Sequence, residues 1–169
     1  MKMIFTANNI ILLAAAIATA LMAGLFFNWT NAITGGLHKL PDSQYISAMQ
    51  SINRAIQNPV FFLAFFGAAI LLPVSSYLYY QSPLPITFYL VFAATILYIC
   101  GVMAVTIFGN IPLNETLDKF NLAKATPEEI YKLRLAFEAR WNSLNTIRTL
   151  TSFVSLLLIL IACINTKTP

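Results

Sequence analysis

The segment RWNSLNTIRTLTSFVSLLLILIA, residues 140–162, begins with polar side chains and continues as an apolar stretch. On a helix, Asn142 and Asn145 share one face, which Trp141 and Arg148 flank. Amide and guanidinium groups are costly to bury in hydrocarbon, so Arg148 is expected to point between helices or to reach the lipid headgroups. Such groups either cap and anchor a helix or line a ligand-binding pocket, and this segment alone leaves both open.

Further asparagines follow two other apolar segments. Asn28 and Asn31 come after the first one, and Asn110 and Asn114 come after the third. Asn110 precedes a proline-containing turn and is expected to cap a short helix. Asn53 projects from the first connector at the same membrane level, so the set predicts either a polar network that ties helices together or a pocket. The candidate pocket residues are Asn28, Trp29, Asn31, Asn110, Asn114, Trp141, Asn142, Asn145 and Arg148.

Few groups in the chain can carry acid–base, metal or redox chemistry. Glu138 lies four residues after Arg134 on a predicted helix, so the two side chains are expected to form an ion pair. His38 is the single histidine, and the two cysteines do not form a Cys-x-x-Cys motif. Haem ligation by two histidines, a histidine-rich zinc site, a di-iron site and thiol redox chemistry are therefore not expected. The sequence also contains no glycine-rich nucleotide motif, and we expect neither a metal nor an organic cofactor.

The composition predicts an integral membrane protein with a single membrane domain, residues 1–169. Only 9% of the residues are charged and 59% are hydrophobic, whereas soluble domains carry about 25% charged residues. Charge-free stretches of sufficient length predict spans at about 10–27, 59–80, 84–108 and 149–163. We therefore expect the lipid bilayer as a partner, and no nucleic acid, because the chain has no basic stripe.

The predicted fold class is all-α: a four-helix bundle in the membrane, with two amphipathic helices in the long connectors on one side. These connector helices are expected at about 42–57 and 127–148, and the second is expected to run into the fourth span without a break. The connectors contain all six acidic residues and eight of the ten basic residues. The positive-inside rule then places them on the cytoplasmic side of the cell membrane. SIN at 51–53 matches SLN at 143–145, which indicates either a weak internal repeat or chance.

Three stretches of the sequence resemble the anthrone oxygenase-like family of small four-span membrane proteins, long catalogued as a domain of unknown function. They are GLFFNWTNAITGGL at 24–37, GNIPLNETLDKF at 109–120, and the segment at 140–162. The resemblance covers nearly the whole chain and implies a fold of four spans. For some relatives it implies oxidation of an anthrone to an anthraquinone by O₂ without a known cofactor. Other relatives have no assigned activity.

The anthrone oxidation that this resemblance implies needs an apolar binding pocket, a proton acceptor and hydrogen-bond donors. An anthrone has an acidic methylene group, and its carbanion reacts directly with O₂. His38 is the first candidate for the base and Glu138 the second. A flat, lipophilic substrate would enter from the bilayer and stack on Trp29 and Trp141. The candidate donors are Arg148, Asn110, Asn114, Asn142 and Asn145.

Three classes of function are compatible with these features. The chain is a cofactor-independent oxidoreductase, a non-catalytic binder of a lipid or another lipophilic small molecule, or a structural membrane protein whose asparagines lock the helices. The scarcity of acid–base groups favours the second and third classes. The clustering of polar groups beside Arg148 favours a pocket, and hence the first or second. The sequence leaves the substrate and the oligomeric state open.

Overall fold

The structure is a computed structural model that describes residues 6–165, and this part of the chain folds into five helices without a β-strand. Four of the helices are long and apolar enough to cross a membrane, and the remaining one is a short connector helix. The predicted all-α class is thus confirmed, and the four long apolar helices indicate a multi-pass membrane protein. The helices are α1 (Ala7–His38), α2 (Asp42–Ala55), α3 (Pro59–Leu78), α4 (Ile86–Lys119) and α5 (Pro127–Ile164).

Helices α1 and α4 continue past residues 27 and 108, at which their predicted spans end. Near these points the backbone changes from α-helical to π-helical hydrogen bonding, over Trp29–Ile33 in α1 and over Ile99–Ala104 and Thr106–Asn110 in α4. A π-helical turn accommodates an extra residue without ending the helix, and such turns are frequent at functional sites. The asparagines that follow the first and third spans therefore lie on continuous helices rather than in turns.

Helix α5 contains 38 residues and joins the second connector to the fourth span without a break, as predicted. Thr126 caps its first turn: the hydroxyl accepts a 3.3 Å hydrogen bond from the Glu129 N–H, and Glu129 Oε2 accepts one of 2.7 Å from the Thr126 N–H. At 1.5 Å per residue α5 is about 57 Å long, roughly twice the hydrocarbon thickness of a bilayer. Its charged part, residues 127–140, therefore extends beyond the hydrocarbon.

The four long helices surround a common apolar core. Helix α1 packs against α3 and α5, and α4 packs against the same two helices. Their outward faces carry exposed apolar side chains such as Leu63, Ile70 and Leu150, which suit contact with lipid. The largest fully buried core side chains include Leu12, Met22, Leu72, Val91, Tyr98 and Ile159.

At the connector end, α2 packs against α4 and α5 over a second apolar cluster. Ile46 and Met49 of α2 are buried there, together with Phe137 of α5. Gln50 Nε2 donates hydrogen bonds of 2.8 and 3.0 Å to the carbonyl oxygens of Leu117 and Phe120, at the end of α4. Helix α2 is thereby fixed across the end of the four long helices, and a cavity lies beside it.

Candidate ligand-binding cavity

A cavity of about 490 Å³ is enclosed by residues from all five helices. Its walls are mainly aromatic, with Phe26 from α1 and Phe61 and Phe65 from α3. Polar groups lie at its inner end, and charged groups form a rim at its outer end. This volume is in the range of small-molecule binding sites, which are commonly apolar with a few polar groups. The inner polar lining consists of Asn53, Thr106, Asn110, Asn114 and Arg148, and the rim of Arg54, Gln57, Glu115, Asp118 and Lys119.

Arg148 is the buried cation of this cavity, with only 7% of its surface exposed. Its Nη2 donates a 2.9 Å hydrogen bond to Asn145 Oδ1, and its Nη1 lies 3.4 Å from Thr106 Oγ1. The guanidinium carbon lies 4.6 Å from the ring centroid of Phe26 and 5.4 Å from that of Trp141. These ring contacts stabilise a cation by about 0.5–2 kcal/mol each.

No carboxylate of the described residues forms an ion pair with Arg148, and its buried Nε has no hydrogen-bond partner among them. A buried cation without a counter-ion is unfavourable, because the free energy of desolvating the charge exceeds the stabilisation from the ring contacts. An anion or a strong hydrogen-bond acceptor in the cavity would remove this penalty. Arg148 therefore marks the inner end of the cavity as a place for negative charge.

Asn145 fixes the orientation of Arg148 and does not line the cavity. It is 1% exposed, and both ends of its side chain are used. Its Nδ2 donates to Thr30 Oγ1 at 2.9 Å and to the Phe26 carbonyl at 3.3 Å, while its Oδ1 accepts from Arg148. Thr149 Oγ1 also donates to the Phe26 carbonyl, at 3.0 Å. This network ties α1 to α5 and holds the guanidinium toward the cavity.

Asn110 and Asn53 line the cavity with unpaired amide groups. Asn110 is 1% exposed, and neither its Nδ2 nor its Oδ1 has a hydrogen-bond partner among residues 6–165. The Nδ2 of Asn53, which is 6% exposed, also has none. The prediction that Asn110 caps a short helix was wrong, because π-helical turns carry α4 through this position and its side chain makes no capping bond. An unsatisfied buried polar group costs about 1–3 kcal/mol, so these amides are suited to a ligand.

The two tryptophans form one wall of the cavity and contact each other. The ring centroids of Trp29 and Trp141 are 4.9 Å apart, at an interplanar angle of 52°. Trp141 Nε1 donates a 2.9 Å hydrogen bond to Asn114 Oδ1, which fixes the indole between α4 and α5. Both rings line the cavity, so a planar ligand would contact indole surface.

The rim carries the only carboxylates that line the cavity in the described part of the chain. Asp118 Oδ1 accepts a 2.6 Å hydrogen bond from Arg54 Nε, which links α4 to α2. Glu115 Oε2 lies 3.8 Å from Lys119 Nζ, one turn later in α4. All four side chains are exposed, so these pairs are screened by water and can rearrange.

His38 and Glu138 lie together, but neither lines the cavity. His38 Nδ1 is 2.7 Å from Glu138 Oε1. Arg134 Nε donates a 2.8 Å hydrogen bond to Glu138 Oε2, so the ion pair predicted between Arg134 and Glu138 is present. Burial raises the pKa of Glu138, but the hydrogen bonds and charges of Arg134 and His38 outweigh it and lower the pKa below its ordinary value. Arg134 also donates to Asp42 Oδ1 at 2.8 Å, and to the carbonyls of residues 38 and 40.

This ion-pair cluster fastens the turn between α1 and α2 to α5. Arg134 lies over the ring of Tyr45, with 4.5 Å between the guanidinium carbon and the ring centroid. Glu138 precedes Arg148 by ten residues, or about 15 Å along the helix axis. The structure therefore separates the two predicted bases from the cation with which they were expected to act.

The remaining sequence-predicted residues lie outside the cavity lining. Asn28 and Asn31 are exposed on α1, and Asn142 is half-buried on α5. Asn53, the aromatic residues of α3 and the rim carboxylates line the cavity but were not among the candidate site residues. Two sequence signals pointed to Asn53: its predicted position at the membrane level of the other asparagines, and the repeated Ser-x-Asn pattern at 51–53 and 143–145. No group of three or more metal-ligating side chains occurs within residues 6–165.

Residues 61–158, more than half of the chain, match the family model described as anthrone oxygenase. The matched region includes α4 and most of α3 and α5, and thus Phe65, Asn110, Trp141 and Arg148. No curated protein and no solved structure shows significant similarity to the chain.

Proposed function

The chain belongs to the anthrone oxygenase family, and we propose that its cavity binds a flat, lipophilic, enolisable molecule as an oxyanion and oxidises it with O₂ without a cofactor. The observation that carries the proposal is Arg148: a buried cation with no ion-pair partner among the described residues, at the inner end of an aromatic cavity. Enolisation of such a molecule places negative charge on an oxygen. Donors fixed in advance around that oxygen stabilise the charge as it develops.

The donors are the unpaired groups of the inner cavity. Arg148 Nε and Asn110 Nδ2 would donate to the oxyanion, and Asn53 Nδ2 to a second oxygen of the ligand. Asn110 Oδ1 would accept from a ligand hydroxyl group. The complementary ligand is therefore an aromatic system with one acidic oxygen and at least one further oxygen. The indoles of Trp29 and Trp141 and the phenyl rings of the wall would contact its faces.

The reaction would begin with proton transfer from the methylene group of the substrate. We propose Glu115 or Asp118 as the acceptor, since these carboxylates line the cavity whereas His38 and Glu138 do not. The bond from carbon to hydrogen breaks, its electron pair enters the enolate, and Arg148 stabilises the negative oxygen. The enolate then reduces O₂. One oxygen atom becomes the new carbonyl group and the other leaves as water with the two methylene hydrogens, so atoms and electrons balance.

Access from the bilayer is supported by the outer wall of the cavity. Phe62 and Phe66 of α3 and Ile107 and Ile111 of α4 line the cavity and are also exposed on the outer surface. Helices α3 and α4 pack closely near their short turn, and the cavity lies at the opposite end of this pair. A molecule dissolved in the hydrocarbon could pass between these side chains without entering water.

The distribution of basic residues supports one orientation in the membrane. Seven basic residues remain in the connectors when Arg148, which is buried in the cavity, is left out, against Lys2 and Lys167 on the other side. We propose that the connectors and the cavity rim face the cytoplasm. A protease site inserted into the loop at residues 120–126 should be cut in inside-out vesicles and protected in intact cells.

The activity is tested by O₂ uptake with a panel of anthrones in detergent or vesicles. Wild-type protein should consume one O₂ for each quinone formed, and Arg148→Gln should lower the rate by about 100-fold or more. Arg148→Lys keeps the positive charge but loses the planar set of guanidinium N–H donors, so it should retain part of the activity. Equal rates for wild type and Arg148→Gln, corrected for the spontaneous reaction, would contradict the proposal.

A non-catalytic binder of lipophilic small molecules is the alternative supported by a specific observation. The buried part of the cavity contains no carboxylate and no imidazole in the described residues, and the rim carboxylates are exposed. In that case the ligand should bind with the same dependence on Arg148, but O₂ uptake should equal the rate without protein. A purely structural role for the polar residues predicts neither binding nor turnover.

A further inference from the structure

A second concave surface lies on the outside of the molecule, between α4 and α5. It has a volume of about 370 Å³ and shares no lining residue with the cavity. Its floor and walls are apolar, with Ala104 and Phe108 from α4 and Leu144 from α5. Arg140 lies at one end of it. We refer to this surface as the α4–α5 groove.

Two glycines of α4 allow it to approach α5 closely beside the groove. A β-carbon at Gly101 would overlap the side chain of Thr151, and one at Gly109 would lie 2.9 Å from Leu144 Cδ1. Larger residues at these positions would push the helices apart. Because Gly109 has no side chain, it does not cover Leu144, and both residues line the groove.

The charge-free stretches of α4 and α5 end near the groove, which argues that it lies where hydrocarbon gives way to headgroups. Phe108 is 80% exposed, and the first charged residue after it in α4 is Glu115. Arg140 precedes Thr149, the start of the charge-free stretch of α5, by nine residues, or about 13 Å. A long side chain at this depth can follow the apolar surface while its charge stays near the phosphates.

Arg140 is exposed and has no hydrogen bond or ion pair with another residue in the described part of the chain. The other exposed cations of α4 and α5 differ: Lys119 and Lys132 each face a glutamate on their own helix. A cation without a partner at the end of an apolar groove in the membrane complements an anionic headgroup attached to an acyl chain.

We propose that the α4–α5 groove binds one anionic phospholipid, with its phosphate on Arg140 and an acyl chain along Ala104, Phe108 and Leu144. The lipid would cover the contact between the two helices at Gly109 of α4. It is distinct from the substrate of the cavity, so the proposal does not depend on the proposed oxidation.

The test measures lipid binding to purified protein in a neutral detergent. Phosphatidylglycerol, phosphatidylcholine and soluble glycerol phosphate are added separately to wild type, to Arg140→Gln and to the matched control Lys132→Gln. Retained lipid is counted by native mass spectrometry, and the thermal midpoint is recorded. Both substituted side chains are exposed, so both variants should fold.

The expected result is one phosphatidylglycerol retained by wild type and by Lys132→Gln, with a midpoint raised by several degrees. Arg140→Gln should lose most of both effects. The proposal is overturned if phosphatidylcholine acts as well as phosphatidylglycerol, if soluble glycerol phosphate gives the same shift, or if Arg140→Gln retains the lipid. Filling the groove by Ala104→Phe should displace the lipid while leaving Arg140 in place. Retention of the lipid by this variant would also overturn the proposed path of the acyl chain.

Discussion

Asn145 Oδ1 accepts a 2.9 Å hydrogen bond from Arg148 Nη2, one helical turn later in α5. The same amide donates to the carbonyl of Phe26 and to Thr30 Oγ1 in α1. The side chain that orients the buried cation is therefore also the link between two long helices. Under the proposed function, a change at Asn145 should therefore alter both stability and ligand binding, whereas a change at the unpaired Asn110 should alter ligand binding alone. This difference makes the account testable with substitutions of one residue type.

Asn145→Ala should destabilise the protein and weaken ligand binding together. The substitution removes the hydrogen bonds that this amide forms with the Phe26 carbonyl, Thr30 Oγ1 and Arg148 Nη2, and each lost buried hydrogen bond costs about 1–3 kcal/mol. Chemical denaturation in detergent gives the stability change. An unchanged free energy of unfolding would show that the network does not hold α1 to α5.

Asn145→Asp separates the two effects at the same position. The carboxylate keeps an acceptor for Arg148 and supplies the counter-ion that the guanidinium lacks. Stability should recover relative to Asn145→Ala, while affinity for an anionic ligand falls by about tenfold or more, because the cation is already neutralised. Tight binding of the anion by Asn145→Asp would contradict the role given to the charge of Arg148.

Asn110→Ala should behave in the opposite way to Asn145→Ala. Its amide has no partner among the described residues, so removing it should leave the free energy of unfolding unchanged or raise it by about 1 kcal/mol. Ligand affinity should fall. Asn142→Ala is the matched control, since Asn142 is only half-buried and does not line the cavity. This control should change neither the free energy of unfolding nor the ligand affinity. Strong destabilisation by Asn110→Ala would favour a structural polar network.

The proton acceptor is identified by comparing Glu115→Gln, Asp118→Asn and His38→Gln. If a rim carboxylate takes the proton, one of the first two substitutions should lower the rate of O₂ uptake by about 100-fold or more. His38→Gln should leave the rate near that of wild type, since His38 does not line the cavity. If only His38→Gln lowers the rate, His38 is the base, as the sequence predicted, and the substrate must bind at a different position.

The Glu138 cluster predicts a loss of stability in acid. The pKa of Glu138 is lowered in the folded protein, because Arg134 and His38 outweigh the effect of burial. A lowered pKa contributes stability at pH values above the ordinary value of 4.5, and this contribution is lost as the pH falls through the folded-state pKa. Thermal midpoints from about pH 6 to about pH 3 should fall more steeply for wild type than for Glu138→Gln. Parallel curves would contradict this assignment.

The sequence was sufficient for the helices and for part of the cavity lining. Charge-free stretches of span length predict the long helices, and the connector helix predicted at about 127–148 begins where α5 begins. Periodicity places Trp141, Asn145 and Arg148 near one another because an unbroken helix carries all three. These inferences need only local regularity, which the sequence expresses directly.

The other features of the site depend on tertiary contacts between helices, which the local sequence pattern does not reveal. The π-helical turns in α1 and α4 extend both helices and place Asn110 in the cavity, where the sequence analysis had assigned a helix cap. Asn53 reaches the lining because α2 is fixed across the end of the long helices by Gln50. His38 and Glu138 were candidate bases because they are ionisable, yet their partners belong to the α1–α2 turn and to Arg134. The positions of these groups are set by tertiary packing.

The most direct test of the cavity uses the fluorescence of Trp29 and Trp141, which are the only two tryptophans of the chain and both line the cavity. Purified wild type, Arg148→Gln and Arg148→Lys are titrated with polycyclic phenols at a pH at which the phenol is ionised. We expect saturable quenching for wild type, an affinity at least about tenfold weaker for Arg148→Gln, and intermediate binding for Arg148→Lys. Without ligand, Arg148→Gln should remain folded with an unchanged or higher thermal midpoint, because an unpaired buried charge has been removed. Equal quenching of wild type and a folded Arg148→Gln, or no quenching of wild type by any member of the panel, would contradict the assignment of Arg148 as the anion-binding group of a ligand cavity.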